Sequence, residues 1–190
     1  MIEQWQGALG ADYLERDPPR IDERRTVFRS LGVYLPGTAR EVGCSAGYNL
    51  HALQPEQAIG IEPNPAARRA AVESGLVVLD GDVTELPFED EQFDLVLSAG
   101  LLIHVPPGQV GKAIRELVRV TRSELLLLEY DGDGESIPYR DVDPGIWKRD
   151  YGALVLEHAA GTFPSLTVAR DYEFVGTPFE GCTGWLFRRS

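Results

Sequence analysis

Three acidic residues, set in phase along the chain, are the first sign of chemistry in this sequence. Glu41 closes a short apolar run and is followed by glycines two and six places on, in Glu41-Val42-Gly43-Cys44-Ser45-Ala46-Gly47. Glu62 ends Ile59-Gly60-Ile61, and Asp82 closes Leu76-Val77-Val78-Leu79-Asp80-Gly81. The acids recur about every twenty residues, the length of one strand-plus-helix unit, and the ends of parallel strands share one edge where ligands bind. Glu62, next to Pro63, can accept two hydrogen bonds from a ribose diol, and Asp82 with the Val83 amide can read the edge of an adenine. Gly43 lets the chain turn sharply and a ligand approach bare backbone, while Gly47 permits close packing as a helix begins. Cys44, Ser45 and Asn49 belong to the same loop, and Ala99 ends a later strand at the same edge. Any one of these acids is equally well explained as a helix cap. Three in phase, one beside a glycine loop, favour a ligand, and on this reading Glu62 holds that ligand and little of the fold.

The glycine spacing narrows the ligand. A dinucleotide loop needs G-x-G-x-x-G with an acid about twenty residues later, whereas here serine stands where the middle glycine would be. That argues against a dehydrogenase or a nucleotide-sugar enzyme of Rossmann type. The loop resembles motif I of the class I S-adenosylmethionine (AdoMet) methyltransferases, in which the acid lies near the methionine ammonium and the loop wraps the amino-acid end. The run Leu86-Pro87-Phe88 to Phe93-Asp94-Leu95-Val96 resembles the stretch between the adenine-binding acid and the central strand of those proteins. The resemblance implies AdoMet as cofactor, bound by the strand-end and loop residues named above.

The elements that position these residues follow from pattern. Asp17-Pro18-Pro19 starts a helix whose stripe Ile21, Val27, Phe28, Leu31 stops at Gly32. Strands are expected at 39–44, 57–62, 76–79, 93–98 and 124–130, with helices between them at 48–53, from the Asn64-Pro65 cap to Gly75, and after Pro106-Pro107. Residues 1–16 are too glycine-rich to predict as a helix, though they are placed to cover a cofactor. An aromatic and charged insertion occupies 137–151, followed by a helix near 151–160 and strands at 166–175 and 182–188. The expected fold is α/β: a Rossmann-like, doubly wound, mostly parallel sheet of about seven strands with a C-terminal antiparallel hairpin. The 190 residues are read as one domain, a cap and helix over 1–35 and a core over 36–190.

Composition limits the partners. Thirty acids against eighteen Lys and Arg give a net charge of -12, which repels a phosphate backbone, so a small molecule rather than nucleic acid is expected. No apolar run of about eighteen residues is present, so no membrane partner is expected. The start of the chain has no basic-then-apolar signal segment, and a cytoplasmic location is expected. Two distant cysteines and three histidines without ligand-like spacing predict no metal.

Over nearly its whole length the chain also resembles the methylases associated with pseudaminic acid biosynthesis. The resemblance rests on Trp5, Gly7, Tyr13 and Arg16, the loop through Gly47-Tyr48-Asn49-Leu50, and Gly100-Leu101-Leu102-Ile103-His104. It continues through Glu129-Tyr130, Ile137-Pro138-Tyr139-Arg140, Lys148-Arg149-Asp150 and Trp185-Leu186-Phe187. It implies methyl transfer to a small polar metabolite, a sugar or nucleotide-sugar intermediate. His104, beyond the ligand-facing end of the fourth strand, is the candidate catalytic base. Tyr13, Arg16, Tyr130, Tyr139, Arg140, Lys148 and Arg149 are the candidates for acceptor binding. The formal charge of 137–151 sums to zero, Asp141, Asp143 and Asp150 balancing the cations, which argues against an anionic acceptor. A catalytically silent AdoMet-binding partner protein is the alternative.

Overall fold

A strand covered on both faces must be apolar at every position, whereas one with a wet face alternates. Leu125 to Leu128 meet the first requirement, and the computed structural model divides them: Leu125 and Leu127 enter one core, Leu126 and Leu128 the other. The structure describes residues 5–16, 18–33, 37–139, 142–159, 162–163, 165–169 and 171–189. Its strands are β1 (Thr38–Val42), β2 (Gln57–Ile61), β3 (Val77–Leu79), β4 (Phe93–Ala99), β5 (Thr121–Glu129), β6 (Asp133–Tyr139), β7 (Val142–Arg149), β8 (Ser165–Ala169) and β9 (Thr183–Arg188). Seven of them form one sheet in the order β3-β2-β1-β4-β5-β9-β8. Pairing is parallel from β3 to β5, and β9 and β8 close the sheet antiparallel. This is the expected Rossmann-like class.

The helices are α1 (Ala8–Arg16), α2 (Ile21–Ser30), α3 (Tyr48–Leu53), α4 (Pro65–Glu73), α5 (Pro107–Val120) and α6 (Tyr151–Ala159). Along α5, Val110, Ala113, Ile114, Leu117 and Val118 are all buried, the spacing of one helical face. The Asn64 side chain caps α4, its Oδ1 accepting the N–H groups of Ala66 at 2.9 Å and Ala67 at 3.0 Å. Because β1 lies between β2 and β4, the chain leaves it to one side and later returns to the other. Ligands collect at such a reversal.

The structure departs from the sequence reading in three places. Residues 8–16 are helical despite their glycine. Gly10 is buried where a side chain would strike the Trp5 carbonyl and Asn64, so the glycine serves close packing and does not signal a loop. The insertion is a β-hairpin, β6 paired antiparallel with β7 in a separate two-stranded sheet. The strand expected over 166–175 ends at Ala169 and gives way to a short 3-10 turn, Asp171–Phe174, because Phe174 is drawn into the core against Phe179.

Candidate active site

The loop after β1 is held by its own backbone. Gly43 and Cys44 donate N–H groups to the Ile61 carbonyl at 2.8 and 3.0 Å, and Gly47 donates to the Cys44 carbonyl at 2.7 Å. Gly43, Ser45 and Gly47 all have left-handed φ, at 74°, 47° and 79°. Ser45 accepts that conformation, and its N–H reaches Glu62 Oε2 at 2.8 Å. A relay runs behind the loop: Arg24 donates to Asn49 Oδ1 at 2.9 Å, and Asn49 Nδ2 donates to Glu41 Oε1 at 2.6 Å. Glu41 is fully buried and, like Gly47, stands behind the cavity wall rather than on it. Gly43, Cys44, Ser45 and Asn49 are on the wall.

Glu62, Pro63, Asp82, Val83 and Ala99 line the same cavity, whose volume is about 720 Å³. Glu62 Oε1 accepts the Asn64 N–H at 2.8 Å, matching the Ser45 bond on its other oxygen. Burial holds its carboxyl above the usual range, and the two N–H groups work against that. Asp82 Oδ1 takes the N–H and hydroxyl of Thr84, both at 2.6 Å. Burial raises the Cys44 thiol well above its ordinary value, with Glu41 and Glu62 adding to the effect. Among the described residues no cluster of His, Cys, Asp and Glu could hold a metal ion.

The other half of the wall comes from aromatic rings. His104 ends a short 3-10 turn, Leu102–His104, and its ring stands between Trp5, with centroids 4.5 Å apart, and Tyr139, at 5.6 Å. Trp5 in turn meets Tyr13 edge-on at 5.8 Å. Burial lowers the His104 imidazole to about 4, against a hydrogen bond to the Gly145 backbone that raises it. The ring is therefore neutral at pH 7. Tyr13, Tyr130, Tyr139 and Lys148 all reach this wall. Arg16 does not: it is exposed, beside the Tyr13 ring and bonded to the Asp12 carbonyl. Arg140 lies outside the described residues.

Arg149 is corrected from acceptor binding to support. It is buried, donating to the Leu102 carbonyl at 3.4 Å, the Val105 carbonyl at 3.0 Å and the Tyr151 hydroxyl at 3.4 Å. Its counterpart is a residue that the sequence reading quoted but gave no role, Glu129. This fully buried carboxyl takes the Ser98 hydroxyl at 2.7 Å and the N–H groups of Leu101 at 3.1 Å and Leu102 at 3.0 Å on one oxygen. Burial pushes it up to about 7, against those hydrogen bonds. Glu129 thus gathers the donors of the His104 turn and Arg149 its acceptors. The available signal was an acid closing a run of four leucines.

Known proteins share parts of this arrangement. A family model described as a methyltransferase domain matches residues 40–128. An uncharacterized protein of Haemophilus influenzae is 34% identical over 105 residues, and the chain spans 39% of its length. A SAM-dependent methyltransferase of Thermotoga maritima, described as a possible histamine N-methyltransferase, superposes with a TM-score of 0.65 at 19% identity, over 99% of this chain and 94% of that one. A SAM-dependent methyltransferase of Aquifex aeolicus gives 0.63 at 19% identity, over 94% and 98%. A putative sarcosine dimethylglycine methyltransferase of Galdieria sulphuraria gives 0.63 at 16%, over 90% and 84%. These structural likenesses show the fold. The domain match lies on the part of it that carries the carboxylate edge of the cavity, and AdoMet is the cofactor that match and fold imply.

The residues present fit that cofactor. A carboxylate has about four acceptor positions. Glu62 uses one on each oxygen for backbone, which leaves each oxygen free to take one ribose hydroxyl. Among the described residues no helix is long and apolar enough to cross a membrane.

Proposed function

We propose that this protein methylates a small polar metabolite, a sugar or nucleotide-sugar intermediate, held between His104 and the β6–β7 hairpin. One observation supports this most: a single cavity has strand-end carboxylates on one side and an aromatic wall around a neutral histidine on the other. Aromatic faces suit the apolar face of a sugar ring, and the resemblance to pseudaminic-acid-associated methylases points the same way. The net charge of -12 disfavours nucleic acid as the acceptor. An acceptor drawn from shared metabolite pools would place the enzyme in the cytoplasm.

AdoMet when bound supplies an electrophilic methyl group on sulfonium sulfur. The protein has to orient the acceptor in line and exclude water. Glu62 and the Asp82-Val83 pair hold the nucleoside end, and the loop 43–45 the amino-acid end. Trp5, Tyr13 and Tyr139 wall the acceptor off from solvent. His104, neutral in this setting, accepts a hydrogen bond from the acceptor's hydroxyl or amine and takes its proton as the methyl group transfers. Incubation with methyl-labelled AdoMet and a fractionated small-metabolite extract tests the proposal. Label is expected in a small-molecule fraction. Faster labelling of bulk tRNA or DNA, or no labelling by a protein that binds AdoMet tightly, would refute it.

A further inference from the structure

The acceptor side of the cavity contains a cation that nothing in the described chain neutralises. Two carboxylates line the cavity among the described residues, Glu62 and Asp82, and both sit at the β2 and β3 ends where the nucleoside is expected. Among the described residues two strong cations line it, Arg24 and Lys148. Arg24 is committed: it donates to the Pro19 carbonyl at 2.9 Å, the Asn49 side chain at 2.9 Å and the Pro18 carbonyl at 3.3 Å. Lys148 enters none of the ion pairs formed by the described residues, and its ammonium lies 5.8 Å from the centre of the Tyr130 ring.

The zero charge of 137–151 is a sum along the chain, and its described members Lys148, Arg149 and Asp150 do not share one face; Asp141 and the Asp143 side chain lie outside the described residues. A strand sends successive side chains to opposite faces. Ile146 and Lys148 line the cavity, while Trp147 and Arg149 are buried away from it. Asp150, which offsets a cation in the sum, is exposed and caps α6 by accepting the Ala153 N–H at 2.8 Å. Glu135 on the facing strand is exposed to solvent. What matters to a ligand is the local sign, and among the described residues the one strong cation on the acceptor side of this wall is Lys148. In a chain with twelve more acids than bases, such an unpaired cation is a point of local attraction.

We propose that the methyl acceptor is an anion whose carboxylate or phosphate is bound by Lys148 beside the Tyr130 ring, with the atom to be methylated at His104. This rests on the methyl-transfer reading above and narrows it to sugar acids, sugar phosphates or small molecules of like charge. An acceptor with an amine and no acidic group, such as the histamine named for the Thermotoga protein, would meet a like charge here.

Two measurements test it. In the first, inorganic phosphate is titrated into the protein saturated with S-adenosylhomocysteine, and tryptophan fluorescence is read, Trp5 being on the same wall. A saturable response weakened at least tenfold in Lys148→Met, with unchanged S-adenosylhomocysteine affinity, is expected. Equal responses in both proteins would overturn the proposal. In the second, a metabolite extract is split on an anion-exchange resin, and both pools are tested for transfer of labelled methyl. Label is expected in the anionic eluate, with a product that rebinds the resin, and Lys148→Met should lower transfer at least tenfold, chiefly through KM. Phosphatase treatment of the eluate separates a phosphate ester from a carboxylate. Transfer to the unretained pool at an equal or greater rate refutes the anionic acceptor. Transfer to neither pool, with phosphate binding still dependent on Lys148, refutes methyl transfer and supports the anion site.

Discussion

Glu62 carries two loads at once. Its oxygens hold the Ser45 and Asn64 N–H groups, tying the glycine loop to the cap of α4, and the residue lines the cavity. The ligand and capping readings of this acid are therefore compatible, and the expectation that it does little for the fold is corrected by the two backbone bonds. Glu62→Gln removes the charge and turns a donor toward one of the two N–H groups. Hydrogen bonds to charged groups are worth about 1.5–3 kcal/mol each. AdoMet affinity should fall by roughly thirty- to a thousandfold, and the melting temperature should fall too. Titration calorimetry and thermal melting on one preparation check both, and an affinity within about threefold of wild type would remove Glu62 from the site. His104→Gln should leave AdoMet affinity unchanged and lower turnover by about 10²–10⁴, the range for general acid–base groups. Since the imidazole is held at about 4, the pH–rate profile should lack an inflection near the ordinary histidine value. The strand-end acids were legible because a turn and a ligand both want a polar group where a strand stops. Arg149 was misread because its charge is plain in the sequence while the carbonyls it serves, forty-four and forty-seven residues away, are not.

Among the elements, the turn from Gly100 to Val105 decides whether His104 faces the cavity, and it is gripped from β5 and from β7. Arg149→Met would leave the Val105 carbonyl without its buried donor and the Leu102 carbonyl with the Val105 N–H alone, at about 1–3 kcal/mol for a buried group left unpaired. A loss of roughly 1–3 kcal/mol in stability is expected by denaturant unfolding. The loss of turnover should exceed the loss of AdoMet affinity, because the hairpin and the turn part company. Glu129 adds a pH signature. Its folded value of about 7 exceeds the ordinary carboxylate value of 4.5, so the folded state binds more protons than the unfolded one between those values. Its contribution is full below about 4.5 and is lost as pH rises toward 7. His104 runs the other way, since its folded value of about 4 lies below 6.5, and it contributes stability that grows over that interval. The two slopes oppose each other in the wild type. Glu129→Gln should therefore gain stability relative to wild type by roughly 3 kcal/mol between pH 4.5 and 7, read by urea unfolding across that range. A difference that stays flat would mean that Glu129 is ionised in the folded protein throughout. The hairpin supporting this clamp was hidden in sequence because β6 is mostly exposed and opens on Asp133, Gly134 and Glu135, with alternation only at Ile137 and Tyr139.

At the scale of the whole molecule, the cavity is where distant parts of the chain meet. The β1 loop, the β2 and β3 ends, the His104 turn, the hairpin and Trp5 all contribute to its wall. The N-terminal segment is tied in by Asn64, whose Nδ2 donates to the carbonyls of Trp5 at 2.7 Å and Gly7 at 3.1 Å. The central sheet was legible because burial on both faces writes itself into unbroken apolar runs. The N-terminal cover was not, because its glycine is selected by a tertiary contact rather than by local preference. A ligand that binds only this assembled wall must stabilise the fold by mass action. At a hundredfold excess over Kd the gain is about 2.7 kcal/mol, and for a domain of this size each kcal/mol raises the melting temperature by about 2–4 °C. S-adenosylhomocysteine at that excess should raise Tm by roughly 5–10 °C, while NADH at the same concentration should leave it unchanged, its pyrophosphate finding no three-glycine loop. The Glu62→Gln protein should show little of the shift at that same S-adenosylhomocysteine concentration. If NADH shifted Tm and S-adenosylhomocysteine did not, the assignment of the carboxylate edge to an adenosyl amino acid would fail.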